Sequence, residues 1–119
     1  MTHELVGGLE PPYYTVVFTS VRRDDGQDAD DGDGKGYADA AVRMLELVRD
    51  VPGFLGYETA RTPGGIGISV GYFRDEEAIA VWRADLEHQE AMRNGRERWY
   101  ERYSVHVAKV ERSYGFDRG

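Results

Sequence analysis

FLGYETARTPGGIGISVGYFRDEEAIAVW, residues 54–82, sets two strands, a turn and the start of a helix end to end, and its reading decides the fold. In the first run Leu55, Tyr57 and Thr59 alternate onto one face, the two-residue period of a strand. Thr62-Pro63-Gly64-Gly65 is turn chemistry. Ile66, Ile68, Val70 and Tyr72 then alternate on one face of a second strand, so the two runs form a hairpin. Gly67, Ser69 and Gly71 leave the other face of that strand bare, which calls for a close approach by another element, such as a helix. Asp75 is placed as the N-cap of that helix, Glu76 and Glu77 favour its first turn, and Ala78, Ile79, Trp82 and Leu86 form its apolar stripe.

Outward from this segment, YYTVVFTSV from Tyr13 reads as the first strand, bounded by Arg22-Arg23. Tyr37, Ala41, Met44, Leu45, Val48 and Val51 recur at helical spacing, and Pro52-Gly53 ends that helix. Beyond Asn94-Gly95 a short helical piece presents Arg96, Trp99 and Tyr103, and Ser104 to Phe116 is read as a long last strand. The order strand, helix, strand, strand, helix, strand predicts an α+β fold of the ferredoxin-like β-α-β-β-α-β type, with one antiparallel sheet and both helices on one side. Val16, Phe18, Ile66, Ile68, Val105 and Val107 cannot all point at the helices, so the second face needs cover, and a second copy of the chain is the simplest cover.

The 119 residues make a single domain over 1–119, with a loose lead-in at 1–12 and an Asp/Gly-rich loop at 22–36. That loop lacks apolar residues to bury and is read as mobile, a lid against acidic molecules or an aid to solubility. No register of it meets the ligand pattern of a calcium-binding EF-hand. A net charge of −7 argues against nucleic acid as a partner. No apolar run approaches the roughly 20 residues of a membrane span, and the start lacks a signal-peptide pattern, so a soluble, cytoplasmic protein is expected. With no Cys there is neither a disulfide nor a thiol nucleophile. Gly64-Gly65-Ile66-Gly67 joins two strands and is no phosphate cradle, and Ser20, Ser69 and Ser104 lack the setting of a hydrolase nucleophile.

Each chemistry-bearing residue has a plain structural role as its competitor. Trp82 serves either as the core anchor of its helix or as the wall of a pocket on which a flat substrate stacks. On a continuous helix His88 falls roughly 120° from Trp82, on a flank with Val81, Asp85 and Met92. There it is a solvated or interface side chain, or a base at a pocket mouth that Asp85 orients. Arg96, Trp99, Tyr100 and Tyr103 either brace the last strand or line a pocket for an anionic aromatic compound. His106 has no second ligand at metal-binding spacing, and no metal is expected.

PGFLGYE at 52–58, GYFRDEEAIAVW at 71–82 and the closing WYERYSVHVAKVERSYGF, taken with the order of elements, resemble the antibiotic biosynthesis monooxygenase family over about Tyr13 to Phe116. The resemblance implies a dimeric α/β barrel with a pocket between sheet and helices in each subunit. Among the implied activities are oxidation of aromatic polyketide phenols by O₂ without metal or flavin, and binding and cleavage of haem. The first group carries an Asn one helical turn before the Trp, where this chain has Ala78. The haem-cleaving group uses a first-strand Asn and a His ten residues after the Trp; here that position is Met92, and the only Asn is Asn94. The reading adopted is a homodimeric, cofactor-independent monooxygenase of a small electron-rich aromatic, a quinol or phenol, with O₂. Its base is His88, and Ser20, Trp82, Met92, Trp99 and Tyr103 form the substrate pocket. A haem-binding or haem-degrading protein, or a dimeric binding module without chemistry, are the alternatives.

Overall fold

A computed structural model describes residues 5–23 and 36–119. In chain order it contains β1 (Tyr13–Arg22), α1 (Tyr37–Arg49), β2 (Phe54–Arg61), β3 (Ile66–Phe73), α2 (Glu76–Ala84), α3 (Leu86–Asn94), a single π turn (Gly95–Trp99) and β4 (Tyr100–Val110). The strands form one antiparallel sheet in the order β2-β3-β1-β4. This is the ferredoxin-like α+β architecture expected from the sequence. The segment read as a mobile acidic loop lies, apart from its ends, outside the described residues.

The β2–β3 hairpin closes at Thr62-Pro63-Gly64-Gly65, where Gly65 N–H donates to the Thr62 carbonyl at 2.8 Å. Strict alternation fails at the start of β2. A register shift sets Phe54 opposite Phe73 but Gly56 opposite Tyr72, so Leu55 does not share a regular face with Tyr57 and Thr59. Gly53, which ends the connection from α1, has φ +94°, and a Cβ there would lie 2.9 Å from the Ala78 side chain. Only glycine allows both the backbone conformation and the approach of α2.

Asp75 caps α2 as the sequence predicts, its carboxylate accepting the Ala78 N–H at 2.9 Å. The helix is shorter than its apolar pattern suggests, because Asp85 takes an extended conformation, φ −63° and ψ 126°, and starts a new helix. Leu86, expected on the apolar stripe, is 80% exposed beyond this break. At the far end β4 begins at Tyr100 and ends at Val110, so Tyr100 and Tyr103 are strand residues and residues 111–116 are not.

Residues paired across a ladder point the same way. The register therefore puts Tyr14, Val16, Phe18 and Ser20 of β1 on one face with Gly67, Ser69, Gly71 and Phe73 of β3 and with Tyr103, Val105 and Val107 of β4. This face meets the helices. Val48 of α1, Ala78 and Ile79 of α2 and Phe73 are its buried centre, with Tyr14, Val16, Leu45, Val51, Phe54 and Trp82 packed round them. The bare strip on β3 is indeed turned to this side. Arg43 links α1 to α3 through two hydrogen bonds to the Glu87 carboxylate, at 3.0 and 2.8 Å. Ile66 and Ile68 project from the opposite face, 54% and 46% exposed. On that same face the lead-in is tied to the sheet, because Glu58 accepts both the Val6 N–H at 2.9 Å and the Tyr72 hydroxyl at 2.6 Å. Burial and the bond to Glu58 push the Tyr72 phenol up to about 12.

Candidate functional site

The β1 row Tyr14, Val16, Phe18, Ser20 spans about 20 Å at the ordinary strand rise, and two different clusters stand on its two ends. Trp82, like Tyr14 and Val16, packs half-buried against the core. Because Asp85 breaks the helix immediately after α2, the chain turns back and His88 lies flat on Trp82. The rings are stacked with centroids 4.1 Å apart and planes 13° apart. His88 thus faces Trp82 directly, not from a flank shared with Val81 and Met92. The Asp85 carboxylate accepts the His88 backbone N–H at 2.9 Å and acts as the cap of α3, where the sequence suggested an orienting partner for the imidazole.

The imidazole Nδ1 lies 3.0 Å from the Trp82 carbonyl oxygen. A carbonyl only accepts, so Nδ1 carries the proton and the neutral ring keeps a lone pair on Nε2. Burial holds the His88 pKa below the usual imidazole range, outweighing the Trp82 carbonyl and the Asp85 charge, which act in the opposite direction. A neutral imidazole with one free lone pair is what a general base near pH 7 requires.

Over Phe18 and Ser20 the second cluster is aromatic and cationic. Ser20 is 2% exposed, and Arg61 Nη2 donates to its hydroxyl. The Arg61 guanidinium lies over Gly67, where a Cβ would collide with it. Arg22 lies 3.8 Å from the centre of the Tyr37 ring and donates from Nε to the Trp99 carbonyl at 3.1 Å. Tyr37 meets Trp99 and Tyr100 edge-on, at 5.7 and 5.8 Å, and Phe18 packs on Tyr100 and Tyr103 at 5.4 and 5.1 Å. Burial, together with the neighbouring Tyr37 to which it is hydrogen-bonded, drives the Tyr100 phenol far up, although Arg61 and Arg22 pull the other way. Its hydroxyl therefore stays protonated at neutral pH.

Of the residues singled out in the sequence, Trp82 and His88 come together at one end, and Ser20, Trp99 and Tyr103 at the other. Met92 is half-buried on α3, the helix leading from the first cluster towards the second. Arg96 Nη1 donates to the Tyr103 hydroxyl at 3.2 Å, but Arg98, not Arg96, lies over the Trp99 ring, 5.6 Å from its centre. His106 is exposed on β4. A depression of about 620 Å³ at the end of β4 is bordered by Lys109, Val110, Glu111 and Arg112, none of which was expected in the site. Among the described residues no group of three His, Asp or Glu could hold a metal ion, and no helix is long and apolar enough to cross a membrane. Arg61, Tyr37 and Tyr100 had no assigned place as ligand contacts except Tyr100 in the aromatic cluster. Extending the Tyr57, Thr59 alternation by one step to Arg61, opposite the bare Gly67, is the signal that finds the first of them.

The profile of the antibiotic biosynthesis monooxygenase family matches residues 28–94. The uncharacterized protein YqjZ of Bacillus subtilis (strain 168) is 47% identical over 103 residues, which is 87% of this chain and 83% of that protein. Among solved structures, a protein from Shewanella oneidensis superposes with a TM-score of 0.68 at 15% identity, covering 83% of this chain and 91% of its own. SnoaB from Streptomyces nogalater, a cofactor-independent oxygenase, superposes with a TM-score of 0.66 at 11% identity, covering 87% of this chain and 97% of its own. At such identities the two structures speak for the fold.

Proposed function

The chain belongs to the antibiotic biosynthesis monooxygenase family, and from that premise we propose that it is a cofactor-independent monooxygenase. Its substrate is a small electron-rich aromatic, a quinol or phenol, and its oxidant is O₂. The observation that carries this reading is the stack of His88 on Trp82. It supplies a neutral base with its lone pair on Nε2, held flat against an indole ring.

In the proposed reaction His88 Nε2 takes the acidic proton of the substrate. The resulting anion is electron-rich enough to pass one electron to O₂, recombination of the radical pair forms a carbon–oxygen bond, and the peroxide anion takes the proton back from His88 to give a hydroperoxide. Loss of water from the hydroperoxide gives the quinone. One oxygen atom enters the product and the other leaves as water, so all electrons come from the substrate. The task left to the protein is to hold the anion, exclude water and position the base. Trp82, Met92, Trp99 and Tyr103 are the proposed apolar walls, and Ser20 a polar contact.

Ile66 and Ile68, exposed side by side on the face away from the helices, support a homodimer formed sheet to sheet. Sedimentation of the purified protein checks this, with twice the chain mass expected. The reaction is tested by oxygen uptake with naphthols and anthrones in the presence of a chelator. Uptake should occur, and His88→Ala should lower it roughly 10²- to 10⁴-fold, the usual contribution of a general base. Uptake that His88→Ala leaves unchanged rejects His88 as the base. A Soret change on titration with haemin would favour the haem-binding alternative.

A further inference from the structure

Arg61 is the one described residue with a buried side-chain polar atom that has no partner. Its Nη1 is fully enclosed and has no hydrogen-bond acceptor, whereas Nη2 donates to Ser20. Among the described residues no carboxylate lies within ion-pair distance of this guanidinium. An arginine cannot shed its charge to relieve the mismatch, because its pKa is too high. A buried N–H without an acceptor is costly and uncommon in a native fold, and it marks a place where an acceptor is to be supplied.

The surroundings say what kind of acceptor fits. Aromatic rings border the guanidinium, with Tyr37 at 6.0 Å, Tyr100 near enough for its phenol to feel the charge, and Phe18 packed on Tyr100. Arg22 adds a second positive charge against the same Tyr37 ring. Gly67 is required for the guanidinium to lie where it does, since any side chain there would displace it. A cation fixed in an aromatic setting, with one nitrogen left without an acceptor, suits an oxyanion carried on a flat ring.

We propose that Arg61 is the anion-recognising residue of the site, and that the ligand is an aromatic compound whose carboxylate or phenolate oxygen accepts from Arg61 Nη1. Ser20 is then a positioning residue, holding Nη2 and leaving Nη1 for the ligand oxygen. This rests on the reading of the helix-facing side as a site for a small aromatic, and it narrows that class to anions.

The experiment compares binding of 1-hydroxy-2-naphthoate with that of its neutral amide, under nitrogen, by titration calorimetry on the full chain. The native protein should prefer the carboxylate by roughly 10- to 100-fold, the factor one charged hydrogen bond carries. Arg61→Gln should abolish the preference. Gly67→Ala, which keeps the charge and displaces the guanidinium, should reduce it nearly as far, and it carries the test if Arg61→Gln does not fold. No preference in the native protein, or a preference that survives in Arg61→Gln or Gly67→Ala, overturns the proposal. Failure here is separable from failure of the oxygenase reading. Oxygen uptake with neutral phenols that is indifferent to Arg61 leaves the reaction standing, and Arg61-dependent anion binding without oxygen uptake leaves the recognition standing.

Discussion

The two ends of the β1 row share a sheet face but are built to opposite rules. Over Tyr14 and Val16 the helices close a dry core, and Phe73, Ala78 and Ile79 leave almost nothing exposed. Over Phe18 and Ser20 the same face carries two guanidiniums among aromatic rings, and one buried N–H has no acceptor. Burial of apolar area supplies the stability at the first end, and the second end gives some of it up to present a charge. The difference teaches where to look for recognition: a folded chain tolerates an unmet polar group mainly where something outside it is to meet the group.

If the first end is the source of stability, truncating its centre has the largest effect. Phe73→Ala should cost about 3–5 kcal/mol in urea unfolding, as for a fully buried aromatic. A loss under about 1 kcal/mol would erase the contrast between the ends.

The junction between the two clusters comes next. Asp85→Ala should cost about 1 kcal/mol by uncapping α3, while Asp85→Ser should keep most of the stability and the stack. If Asp85→Ser disturbs turnover as badly as Asp85→Ala, the carboxylate acts on the imidazole and is more than a cap.

At the second end little change in stability is expected. Arg61→Met removes an unsatisfied donor along with the bond to Ser20, so the unfolding free energy should stay within about 1 kcal/mol of the native protein. A loss of the size expected for Phe73→Ala would make Arg61 a structural residue and the two ends alike.

The smallest effect is on pH dependence. Burial keeps the His88 pKa below the 6.5 of an ordinary imidazole, so on acidification the unfolded chain binds this proton first. The His88 contribution to stability is complete above pH 6.5 and falls as the pH drops through the interval below it. Comparing urea midpoints at pH 8 and pH 5 for the native protein and His88→Gln isolates it, with the native protein alone expected to lose this increment. Turnover should likewise keep its plateau to a lower pH than a free imidazole allows, and an acid limb centred above pH 6.5 would show that the ring is not desolvated.

Much of the fold was legible because its signals are local. The Asp75 cap, the Thr62–Gly65 turn and the two-residue alternation of β3 each depend on a few neighbouring residues, and each stands as read. The break at Asp85 was not legible, since Trp82 to Leu86 keeps helical spacing and no Gly or Pro interrupts it. That hidden break decides the site, because it folds His88 onto Trp82. The start of β4 was equally hidden. WYERY suits a helix or a strand, and only pairing with β1 puts Tyr103 opposite Ser20. Arg61 escaped for a third reason: a charged residue at a strand end reads as solvent-facing until the partner strand reveals a glycine beneath it.

The account is tested most directly by a crystal structure of the protein with 1-hydroxy-2-naphthoate bound under nitrogen. It predicts the carboxylate on Arg61 Nη1 and the ring on the helix-facing side of the sheet, against the aromatic cluster of Phe18, Tyr37 and Tyr100. Density lying instead in the depression at Lys109 to Arg112, or on the sheet face with no contact to Arg61, would contradict it.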